Sequence, residues 1–487
     1  MILKIPKNLN IENRPFINGS FKSLKTNKFL KRKSPALDYV LPKLFLCREN
    51  EVNYAVDTAK KSFREGVWKN KSSKEKKKIF LNVARKMKKN IQELSILDCL
   101  ETGRAINNFK KDSIPKAIEV IEYFAESIDK IYDNMTPLNL KSMGLITKQP
   151  LGVVVGITSW NDPLVPAMWK ACPAMLMGNS IIMKPSELSS FSLLRLAELF
   201  FEAGLPKGIL NIVTGDGITA EKLIKHSDTS GIYFTGSTKT GQKISQIASK
   251  NRIKKVSLEC GGKSSFIVTK NCSNLNKAAK ILAKNIFYNQ GQTCSAPSRL
   301  IIDKKISSLF LDKLFVETEK YIPGNPLDYN SEVGGLITKK HYKNVKKFFD
   351  IGIKEKNNVK IFTKNQWKKK YSFPPVIFYN LKSNSKLLQE EIFGPILSCI
   401  EYSTIEEALK IANNSQYGLA SSVWSNNFEE IHYLINSIEA GIIHINSYGE
   451  DENNIPFGGI KNSGFGRDKS IFAFQEYTYI KSIVYRQ

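Results

Sequence analysis

Gly152-Val153-Val154-Val155-Gly156-Ile157 is a short β-branched run that ends in polar residues, and it decides the fold class. Such a run predicts a buried strand, and the apolar residues through Leu176 predict a helix after it. The succession recurs at Asn179-Ser180-Ile181-Ile182-Met183-Lys184, before a helix predicted over Ser189–Ala203. Alternating strands and helices are typical of a doubly wound α/β fold, whose parallel sheet binds nucleotides at its carboxyl edge.

The alternation continues along the chain and predicts a second lobe. At 487 residues the chain exceeds one ordinary core, so we expect two or three lobes. Six further short apolar segments predict strands: Ile209–Val213, Gly231–Phe234, Ser265–Val268, Ser298–Ile302, Ile396–Glu401 and Gly441–Asn446. The strands beyond Glu259 are predicted to form a separate α/β lobe that carries Cys294.

The remaining segments predict the parts around these lobes. Phe16-Ile17-Asn18-Gly19 is typical of a hairpin, and helical spacing recurs from about Asn53 to Tyr132. Asp133–Gln149 is predicted to be an extended arm rather than core. Tyr477–Tyr485 alternates and is β-prone, so it is predicted to pair with that arm.

The charge balance does not by itself indicate nucleic-acid binding. The formal net charge is +28, but lysine clusters such as Lys74-Glu75-Lys76-Lys77-Lys78 and Lys368-Lys369-Lys370 are short, scattered and not interleaved with aromatic residues. We interpret them as solvated surface, with a modest role in steering anionic ligands left open.

Composition also bears on compartment. The longest candidate for a membrane span, from Leu151, is interrupted by Asn161, Asp162 and Lys170, and the N-terminus has no secretory pattern. Seven cysteines, an odd number without metal-ligand spacing, predict free thiols in a reducing compartment and no metal site. We therefore expect a cytoplasmic chain without nucleic-acid or membrane partners.

Asn289-Gln290-Gly291-Gln292-Thr293-Cys294-Ser295-Ala296-Pro297-Ser298-Arg299 sets one cysteine among small and polar residues. A cysteine kept for packing is usually flanked by Leu, Ile and Val, whereas a nucleophilic one needs access and surroundings that favour the thiolate. Alone, the run leaves an inert thiol open as the alternative.

Two strand ends are candidates for nucleotide binding. Phe234-Thr235-Gly236-Ser237-Thr238-Lys239-Thr240-Gly241 predicts a helix from about Ser237 whose free amides face a pyrophosphate, although glycine spacing of this kind, taken alone, more often marks a purely structural turn. Lys184-Pro185-Ser186-Glu187 offers bonds to ribose hydroxyls, and a glutamate there repels a 2′-phosphate. A capped helix start is the alternative for the second segment.

Glu259 and Asn161 are candidates for acid–base and oxyanion chemistry. Glu259 lies in Leu258-Glu259-Cys260-Gly261-Gly262-Lys263, and a partly dry glutamate has the raised pKa of a general base. Asn161 follows the first strand, and its amide with the Cys294 N–H is suited to stabilising an oxyanion. A surface loop for Glu259 and a turn for Asn161 remain the alternatives.

The joint order of these segments resembles the NAD(P)-dependent aldehyde dehydrogenase superfamily over nearly the whole chain. Other stretches that carry the resemblance are Pro150-Leu151-Gly152-Val153-Val154, Trp169-Lys170-Ala171-Cys172-Pro173-Ala174, Gly178-Asn179, Glu390-Glu391-Ile392-Phe393-Gly394-Pro395 and Pro456-Phe457-Gly458-Gly459-Ile460-Lys461-Asn462-Ser463-Gly464. The resemblance implies a fold of two doubly wound parallel-sheet domains plus a β-arm for oligomerisation. It divides the chain into an NAD-binding domain (1–132 and 151–258), a catalytic domain (259–462), and an oligomerisation arm with the C-terminal segment (133–150 and 463–487).

The resemblance also implies a chemistry. Cys294 attacks the aldehyde, Asn161 and the Cys294 amide hold the oxyanion, hydride passes to the nicotinamide, and Glu259 activates water to hydrolyse the thioester. Lys170 matches the family's lysine near the oxyanion asparagine, and Glu259 separates the chain from CoA-acylating relatives. The cofactor is expected to be NAD rather than NADP, held by Thr158, Trp160, Lys184, Glu187, Gly217, Phe234, Thr235, Gly236, Ser237, Cys260, Gly261, Glu391 and Phe393.

Departures from the family pattern concern the substrate. The chain reads Ser159-Trp160-Asn161-Asp162 where Pro-Trp-Asn is common, Cys260 replaces a leucine, and Tyr448-Gly449-Glu450-Asp451-Glu452-Asn453-Asn454 is unusually acidic. We hypothesise a polar or cationic aldehyde, with Trp169 and Tyr448 as cation–π faces. The predicted pocket residues are Asp162, Trp169, Thr293, Ser295, Asp451 and Phe457. Solvent-facing acids are the alternative.

Other functions stay open at this point. An NADP-using or unspecific aliphatic or aromatic aldehyde dehydrogenase fits the same motifs. A basic nucleic-acid-binding protein, or a catalytically silent scaffold, is the alternative of a different class, although neither needs Cys294, Glu259 and Asn161 together. The arm implies a homodimer or homotetramer.

Overall fold

A computed structural model describes residues 2–6, 9–23, 28–35, 37–139, 141–250, 252–363, 371–449 and 452–486. Its sixteen α-helical segments within those ranges are Glu49–Glu65, Ser73–Lys89, Ile91–Thr102, Ile106–Asn108, Ile114–Ser127, Val165–Leu176, Phe191–Glu202, Gly217–Lys225, Thr238–Ala248, Leu275–Phe287, Ser307–Thr318, Lys339–Lys354, Lys386–Gln389, Ile405–Asn413, Phe428–Ser437 and Ala473–Glu476. Shorter 3-10 turns occupy Ile128–Lys130, Tyr288–Gly291 and Glu319–Tyr321, and a π-helical turn occupies Phe109–Ser113.

The first sheet has eight strands. Their spatial order is Ser20–Phe21, Phe16–Ile17, Leu210–Ile212, Ser180–Lys184, Val153–Ile157, Gly231–Thr235, Lys255–Glu259 and Gly464–Phe465. The five strands from Leu210–Ile212 to Lys255–Glu259 run parallel, and antiparallel strands close both sides. Burial of every residue of Val153–Ile157 and Ser180–Lys184 explains their continuous apolar composition, because helices cover both faces of the sheet.

The second sheet has seven strands, ordered Asn358–Ile361, Val376–Tyr379, Ile396–Tyr402, Arg299–Asp303, Ser265–Val268, Ala420–Trp424 and Ile442–Ile445. All its neighbours are parallel except the first pair. The prediction of two parallel-sheet lobes is therefore confirmed. The division into the domains 1–132 with 151–258, and 259–462, stays a prediction.

A three-stranded antiparallel arm lies apart from both sheets. Thr478–Arg486 pairs along its whole length with Ser142–Pro150, which pairs in turn with Asn134–Asn139. The predicted pairing of the C-terminal strand with the arm is confirmed. Gly464–Phe465 nevertheless joins the first sheet, so the segment after residue 462 serves the nucleotide lobe as well as the arm.

The smaller elements are two short ribbons, Phe29–Lys33 with Val40–Phe45 and Tyr417–Gly418 with Ile460–Lys461. The predicted opening hairpin is present, with Asn18 and Gly19 at φ of 54° and 75°, the left-handed region that such turns require. Across the described ranges, no helix is both long enough and apolar enough to cross a bilayer.

Candidate functional site

The parallel strands of the first sheet end at one edge, and most of the predicted cofactor residues follow directly from those ends. Ile157 pairs with Lys184, and Thr235 pairs with Glu259, so the four strand ends lie at similar levels. Thr158, Trp160, Lys184, Glu187, Gly217, Phe234, Thr235, Gly236, Ser237 and Cys260 all lie at this edge or just beyond it. This is the place at which open α/β sheets bind their ligands.

Two helix N-termini face the same edge. Ser237 caps the helix Thr238–Ala248, its hydroxyl accepting from the N–H of Thr240 at 3.3 Å, and the predicted helix start is confirmed. Gly217 begins the helix Gly217–Lys225, and no atom lies within 4 Å of the position that a Cβ there would take. The carboxylate of Asp216 already accepts from the Ile218 and Thr219 N–H groups of the second helix, so the start of Thr238–Ala248 is the one better suited to an anionic group.

The floor of this cleft contains hydroxyl groups without partners. The Oγ1 atoms of Thr158 and Thr235 are buried and make no hydrogen bond within the described chain. Buried polar atoms are nearly always paired, so two unpaired hydroxyls at one sheet edge indicate a polar ligand. The residues here therefore fit a dinucleotide.

Lys184 and Glu187 form an ion pair at the end of the strand Ser180–Lys184. The Nζ–Oε2 distance is 3.6 Å, and the Lys184 ammonium also donates to the Pro185 carbonyl at 3.1 Å. Burial lowers the pKa of Lys184, while Glu187 opposes that shift. The carboxylate of Glu187 is more exposed than the ammonium, which leaves it available to an incoming hydroxyl.

Glu259 ends the fifth parallel strand and is 3% exposed. Neither of its carboxylate oxygens has a hydrogen-bond partner in the described chain. Burial, and then the nearby charge of Asp468, raise the pKa of Glu259 well above its ordinary value. A Cβ at Gly458 would lie 2.7 Å from Glu259 Oε1, so that glycine is required for the carboxyl group to fit.

Lys170 forms a buried ion pair, and its place near the oxyanion asparagine stays a prediction. Its Nζ lies 2.7 Å from Asp468 Oδ2, and both side chains are almost fully buried. The pair brings Asp468 close enough to Glu259 to affect its titration. Asp468 was not predicted from the sequence.

Cys294 is half-buried on the loop that leads into the strand Arg299–Asp303, and it is free of disulfides. Burial, and then the charges of Glu259 and Glu391, raise the pKa of the thiol to about 12. The expectation that the surroundings favour the thiolate is therefore wrong for the chain alone, because two acids and little solvent surround the sulfur.

The stretch before Cys294 is tied to the turn that carries Asn161. The Asn161 side-chain amide donates to the Gln292 carbonyl at 3.0 Å, and the Asn289 amide donates to the Asn161 carbonyl at 3.1 Å. Asn289 and Gln290 take φ values of 50° and 56°, which side-chain-bearing residues rarely adopt. Asn161 and the cysteine loop are thus in direct contact across the two lobes.

Glu391 and Gly261 meet at the opening of this cleft. The Gly262 N–H donates to Glu391 Oε1 at 3.1 Å, and a Cβ on Gly261 would lie 2.2 Å from Oε2. Burial raises the pKa of Glu391 to about 7. The neighbouring Lys263 is 1% exposed, its Nζ has no hydrogen bond to a described residue, and burial lowers its pKa to about 7.

An aromatic group lines the same opening. The rings of Phe393 and Trp160 lie 5.5 Å apart edge to face, and His341 contacts both rings. Phe234 and Cys260 lie deeper: a Cβ at Gly236 would be 2.5 Å from the Phe234 ring, and one at Gly241 would be 2.6 Å from the Cys260 sulfur.

Four of the predicted pocket residues lie in two pairs. Trp169 and Phe457 face each other with ring centroids 5.1 Å apart, and the Trp169 Nε1 is buried without a partner among described residues. Thr293 and Ser295 flank Cys294 and are half-buried. Asp451 lies outside the described residues, as does Glu450 of the same acidic segment.

Asp162 is not an uncompensated charge. Its carboxylate accepts from Arg104 at 3.4 Å and from the Ser113 hydroxyl. Tyr448 likewise offers no open ring face, because it is 3% exposed, contacts Phe266 and His444, and donates its hydroxyl to the Ser295 carbonyl. Two supports of the cation hypothesis are therefore weaker than the sequence indicated.

Within the described ranges, no group of three or more His, Cys, Asp or Glu side chains is arranged to hold a metal ion. Arg104, Lys263, His341 and Asp468 are the site residues that sequence reasoning missed. Arg104, His341 and Asp468 each contact residues that are distant in the sequence, and no local pattern marks any of the four.

Comparison with known proteins agrees with this geometry. The aldehyde dehydrogenase family model matches residues 22–483, nearly the whole chain.

The chain belongs to the aldehyde dehydrogenase family.

Among its relatives in this family, the NADP/NAD-dependent aldehyde dehydrogenase PuuC of Escherichia coli is 38% identical over 476 residues, which cover 98% of this chain and 96% of PuuC. The crystal structure of gamma-glutamyl-gamma-aminobutyraldehyde dehydrogenase from Burkholderia cenocepacia matches at a TM-score of 0.95 and 38% identity, covering 98% of this chain and 97% of that one. The indole-3-acetaldehyde dehydrogenase AldA of P. syringae, in complex with NAD+ and IAA, matches at 0.96 and 35% identity, covering 99% and 98%. The family resemblance and the α/β fold predicted from the sequence are confirmed.

Proposed function

We propose that this aldehyde dehydrogenase oxidises an aldehyde to a carboxylic acid with NAD, through a covalent intermediate on Cys294. The observation that carries the proposal is the contact between Asn161 and the cysteine loop, with the buried, unpartnered Glu259 close enough to Cys294 to raise the pKa of its thiol. A nucleophile, an oxyanion donor and a general base occur together there, as acyl-transfer chemistry requires.

In this proposal Cys294 attacks the carbonyl carbon and forms a thiohemiacetal. The Asn161 amide has two N–H groups, and only one donates to the Gln292 carbonyl in the structure. The second N–H and the Cys294 backbone N–H are the donors proposed for the oxyanion. Two neutral donors stabilise a transient negative charge without holding it after the intermediate collapses.

The cofactor residues are proposed from the cleft that fits a dinucleotide. Ser237 and its neighbours would hold the pyrophosphate, Lys184 and Glu187 the adenosine ribose, and Glu391 with Phe393 the nicotinamide side. When bound, the oxidised nicotinamide accepts a hydride and supplies a positive charge. Such a charge lowers the pKa of the buried thiol, which opposes the effect of Glu259 and Glu391.

Glu259 is proposed to activate the water that hydrolyses the thioester on Cys294. Its raised pKa makes the carboxylate a stronger base than an exposed glutamate, and burial keeps it clear of competing donors. A thioester is labile enough for this step, whereas an oxygen ester would turn over slowly.

The substrate is proposed to be a polar aldehyde with an amine-derived group, such as an aminoaldehyde or betaine aldehyde. The gamma-glutamyl-gamma-aminobutyraldehyde dehydrogenase of B. cenocepacia is one of the relatives that support it. The faces of the Trp169 and Phe457 rings are the surface proposed to receive that group.

An uncharged aldehyde is the second candidate, since the related AldA acts on indole-3-acetaldehyde and Asp162 here is already paired with Arg104. Turnover of aminobutyraldehyde or betaine aldehyde, compared with propanal or benzaldehyde, separates the two candidates. A preference for the uncharged pair would end the proposal of a cationic substrate.

The nucleophile is tested by Cys294→Ala, which should abolish NADH formation while NAD still binds. Cys272→Ala is the matched control, because Cys272 is also half-buried and free but lies on the second lobe before the helix Leu275–Phe287. Turnover retained by the Cys294 variant would refute the role of its sulfur.

The base is tested by Glu259→Gln, which should keep a burst of NADH and then stall. A steady rate equal to that of the unmodified chain would remove the role assigned to Glu259.

Cofactor preference is tested by Glu187→Gln. Loss of its charge should relax discrimination against NADP, because nothing then repels the 2′-phosphate. Unchanged selectivity would contradict the assignment.

A nucleic-acid-binding or silent scaffold protein is the alternative of a different class. Retention of DNA at physiological salt, without NADH from any aldehyde, would favour it over the proposed enzyme.

A further inference from the structure

Arg104 is a buried cation outside the set of residues assigned above. It is 2% exposed, and its carbon Cζ lies 4.8 Å from the Phe109 ring centroid and 4.7 Å from that of Tyr288. The two rings hold the planar guanidinium group between apolar surfaces. A guanidinium charge buried there without hydrogen-bonded or charged partners would destabilise the fold. The groups that bond to Arg104 therefore indicate what it does.

The guanidinium group bonds to two segments that are far apart in the sequence. One nitrogen, Nη1, donates to Asp162 Oδ2 at 3.4 Å, and the other, Nη2, donates to the Tyr288 hydroxyl. The Tyr288 hydroxyl donates onward to Asp112. Arg104 thus joins the turn after the strand Val153–Ile157 to the start of the loop that leads to Cys294.

One partner of Arg104 is the neighbour of Asn161 in the sequence, and the other is the neighbour of a residue that bonds to Asn161. Asp162 is the next residue after Asn161, and Tyr288 precedes Asn289, whose side-chain amide donates to the Asn161 carbonyl at 3.1 Å. The left-handed φ values of Asn289 and Gln290 are unfavourable and persist only where the surroundings fix them. Arg104 fixes this segment from one side.

The charges around Arg104 are matched. Asp162 and Asp112 lie 3.4 and 3.7 Å from its nitrogens, and Lys116 pairs with Asp112 at 2.9 Å. Ser113 donates to the other oxygen of Asp162. Asp112 and Ser113 belong to the π-helical turn Phe109–Ser113, a type of distortion that is frequent at functional sites.

We propose that Arg104 is a positioning residue for the oxyanion donor Asn161. It acts through Asp162 and Tyr288, and it holds the Asn161 amide at a fixed place relative to the Cys294 loop. This inference rests on the proposed role of Asn161. A misplacement of about 1 Å near a reacting group costs on the order of 100-fold in rate, so a brace of this kind has a measurable effect.

A double-mutant cycle tests the inference on the full-length enzyme. Arg104→Met should lower kcat/KM for the aldehyde by about 10- to 100-fold at saturating NAD. In the Asn161→Ala background the same change should lower kcat/KM by less than about 3-fold, because the group that it positions is already absent. If Arg104 only stabilised the fold, Arg104→Met would lower kcat/KM by the same factor in both backgrounds.

Tyr288→Phe is the second variant, and it removes only the hydroxyl that receives the Arg104 bond. It should show the same non-additivity with Asn161→Ala, and it carries the test if Arg104→Met does not fold. Arg104→Lys keeps a cation near Asp162 and should recover part of the loss. Arg195→Met is the matched control, because Arg195 pairs with Glu93 and Glu198 on the outer helices.

The outcomes separate this inference from the proposed function. Equal losses in both backgrounds, or no loss for either Arg104→Met or Tyr288→Phe, would overturn the positioning role while leaving the role of Asn161 intact. If Asn161→Ala alone leaves kcat/KM unchanged, the oxyanion assignment fails and the positioning role fails with it. A loss confined to the background that retains Asn161 supports both.

Discussion

Glu259 and Asp468 are two buried acids that share one cation. Lys170 lies 2.7 Å from Asp468, whereas Glu259 has no hydrogen-bond partner in the described chain, and burial and the charge of Asp468 raise the pKa of Glu259. Environments of this kind divide two similar side chains between two roles. Here Asp468 is the paired charge, and Glu259 is the group left to exchange protons.

Asp468→Asn should shift the pH dependence of turnover to lower pH. Besides burial, the charge of Asp468 raises the pKa of Glu259, and Lys170 lowers it. Removing the aspartate charge while the lysine stays in place therefore lowers that pKa. Since the deprotonated glutamate is the proposed base, kcat rises as pH increases through its pKa, and this rise should begin earlier in the variant. The measurement is kcat between pH 5 and 9, within roughly the range that single domains tolerate.

Asp303→Asn is the control for that experiment, because Asp303 is also buried but ends a strand of the second sheet. Breaking a buried ion pair costs about 3–5 kcal/mol, so thermal unfolding is measured for both variants. A rise that begins at the same or a higher pH in Asp468→Asn would contradict the coupling.

At the scale of elements, helix starts explain how one sheet edge accommodates an anion. Ser237 and Thr338 cap helices in the same manner, each accepting a backbone N–H three residues on. Only the first of these helices begins at the edge where the parallel strands end. The local chemistry is therefore the same, and the topology decides which helix start takes part in binding.

Thr404 caps the helix Ile405–Asn413 in the same way, away from His341 and Phe393, so Ser237→Ala and Thr404→Ala should each destabilise the fold by about 1 kcal/mol, the usual effect of losing a cap. Only Ser237→Ala should also weaken NAD binding, because its helix start is proposed to face the pyrophosphate. Chemical denaturation gives the stability, and fluorescence titration gives the affinity. Equal NAD affinity in the two variants would show that the Ser237 helix start does not contact the cofactor.

Continuous apolar runs account for the strands that the sequence predicted, although one such run, Val376–Tyr379, was missed. Val153–Ile157 and Ser180–Lys184 are buried throughout, and the predicted bounds differ by one residue. Lys255–Glu259 and Ala420–Trp424 escaped prediction because their Lys-Val-Ser-Leu-Glu and Ala-Ser-Ser-Val-Trp sequences mix polar and small residues with few apolar ones. Tertiary pairing, rather than local propensity, makes these segments strands.

The site residues also divide into those that the sequence predicted and those that it did not. Cys294, Glu259 and Asn161 are recognisable because each lies in a distinctive local segment. Asp468 and Arg104 are not, because their partners are 298 and up to 184 residues away. Local spacing carries no record of such pairs, and the compensation of Asp162 by Arg104 was therefore missed as well.

For the whole molecule, the arm presents an apolar surface. Tyr479, Ile480, Ile483, Val484 and Tyr485 are each at least 40% exposed on the strand Thr478–Arg486. Met135 and Met143 on the neighbouring strands are also at least 40% exposed. Tyr479, Ile483 and Tyr485 lie on one face of the strand, and Ile480 and Val484 lie on the other, so both faces of the arm expose apolar side chains. Exposed apolar surface of this kind marks interaction sites, which agrees with the proposed homodimer or homotetramer.

Ile480→Lys with Val484→Lys should lower the particle mass measured by light scattering. Charges in an apolar interface disfavour association because they lose hydration there. Phe428→Lys is the control, since Phe428 is 77% exposed but lies on a helix of the second lobe. An unchanged mass for the double variant, or a single-chain mass for the unmodified protein, would remove the arm from the assembly.

The burial that raises the pKa of Cys294 has a consequence for the enzyme at rest. Peroxides and alkylating reagents attack sulfur in its anionic form, and a protonated thiol gives them little to react with. A chain without its coenzyme is therefore expected to resist such reagents, because burial and the charges of Glu259 and Glu391 keep the thiol protonated. Its vulnerability to such reagents should increase only once the dinucleotide has arrived.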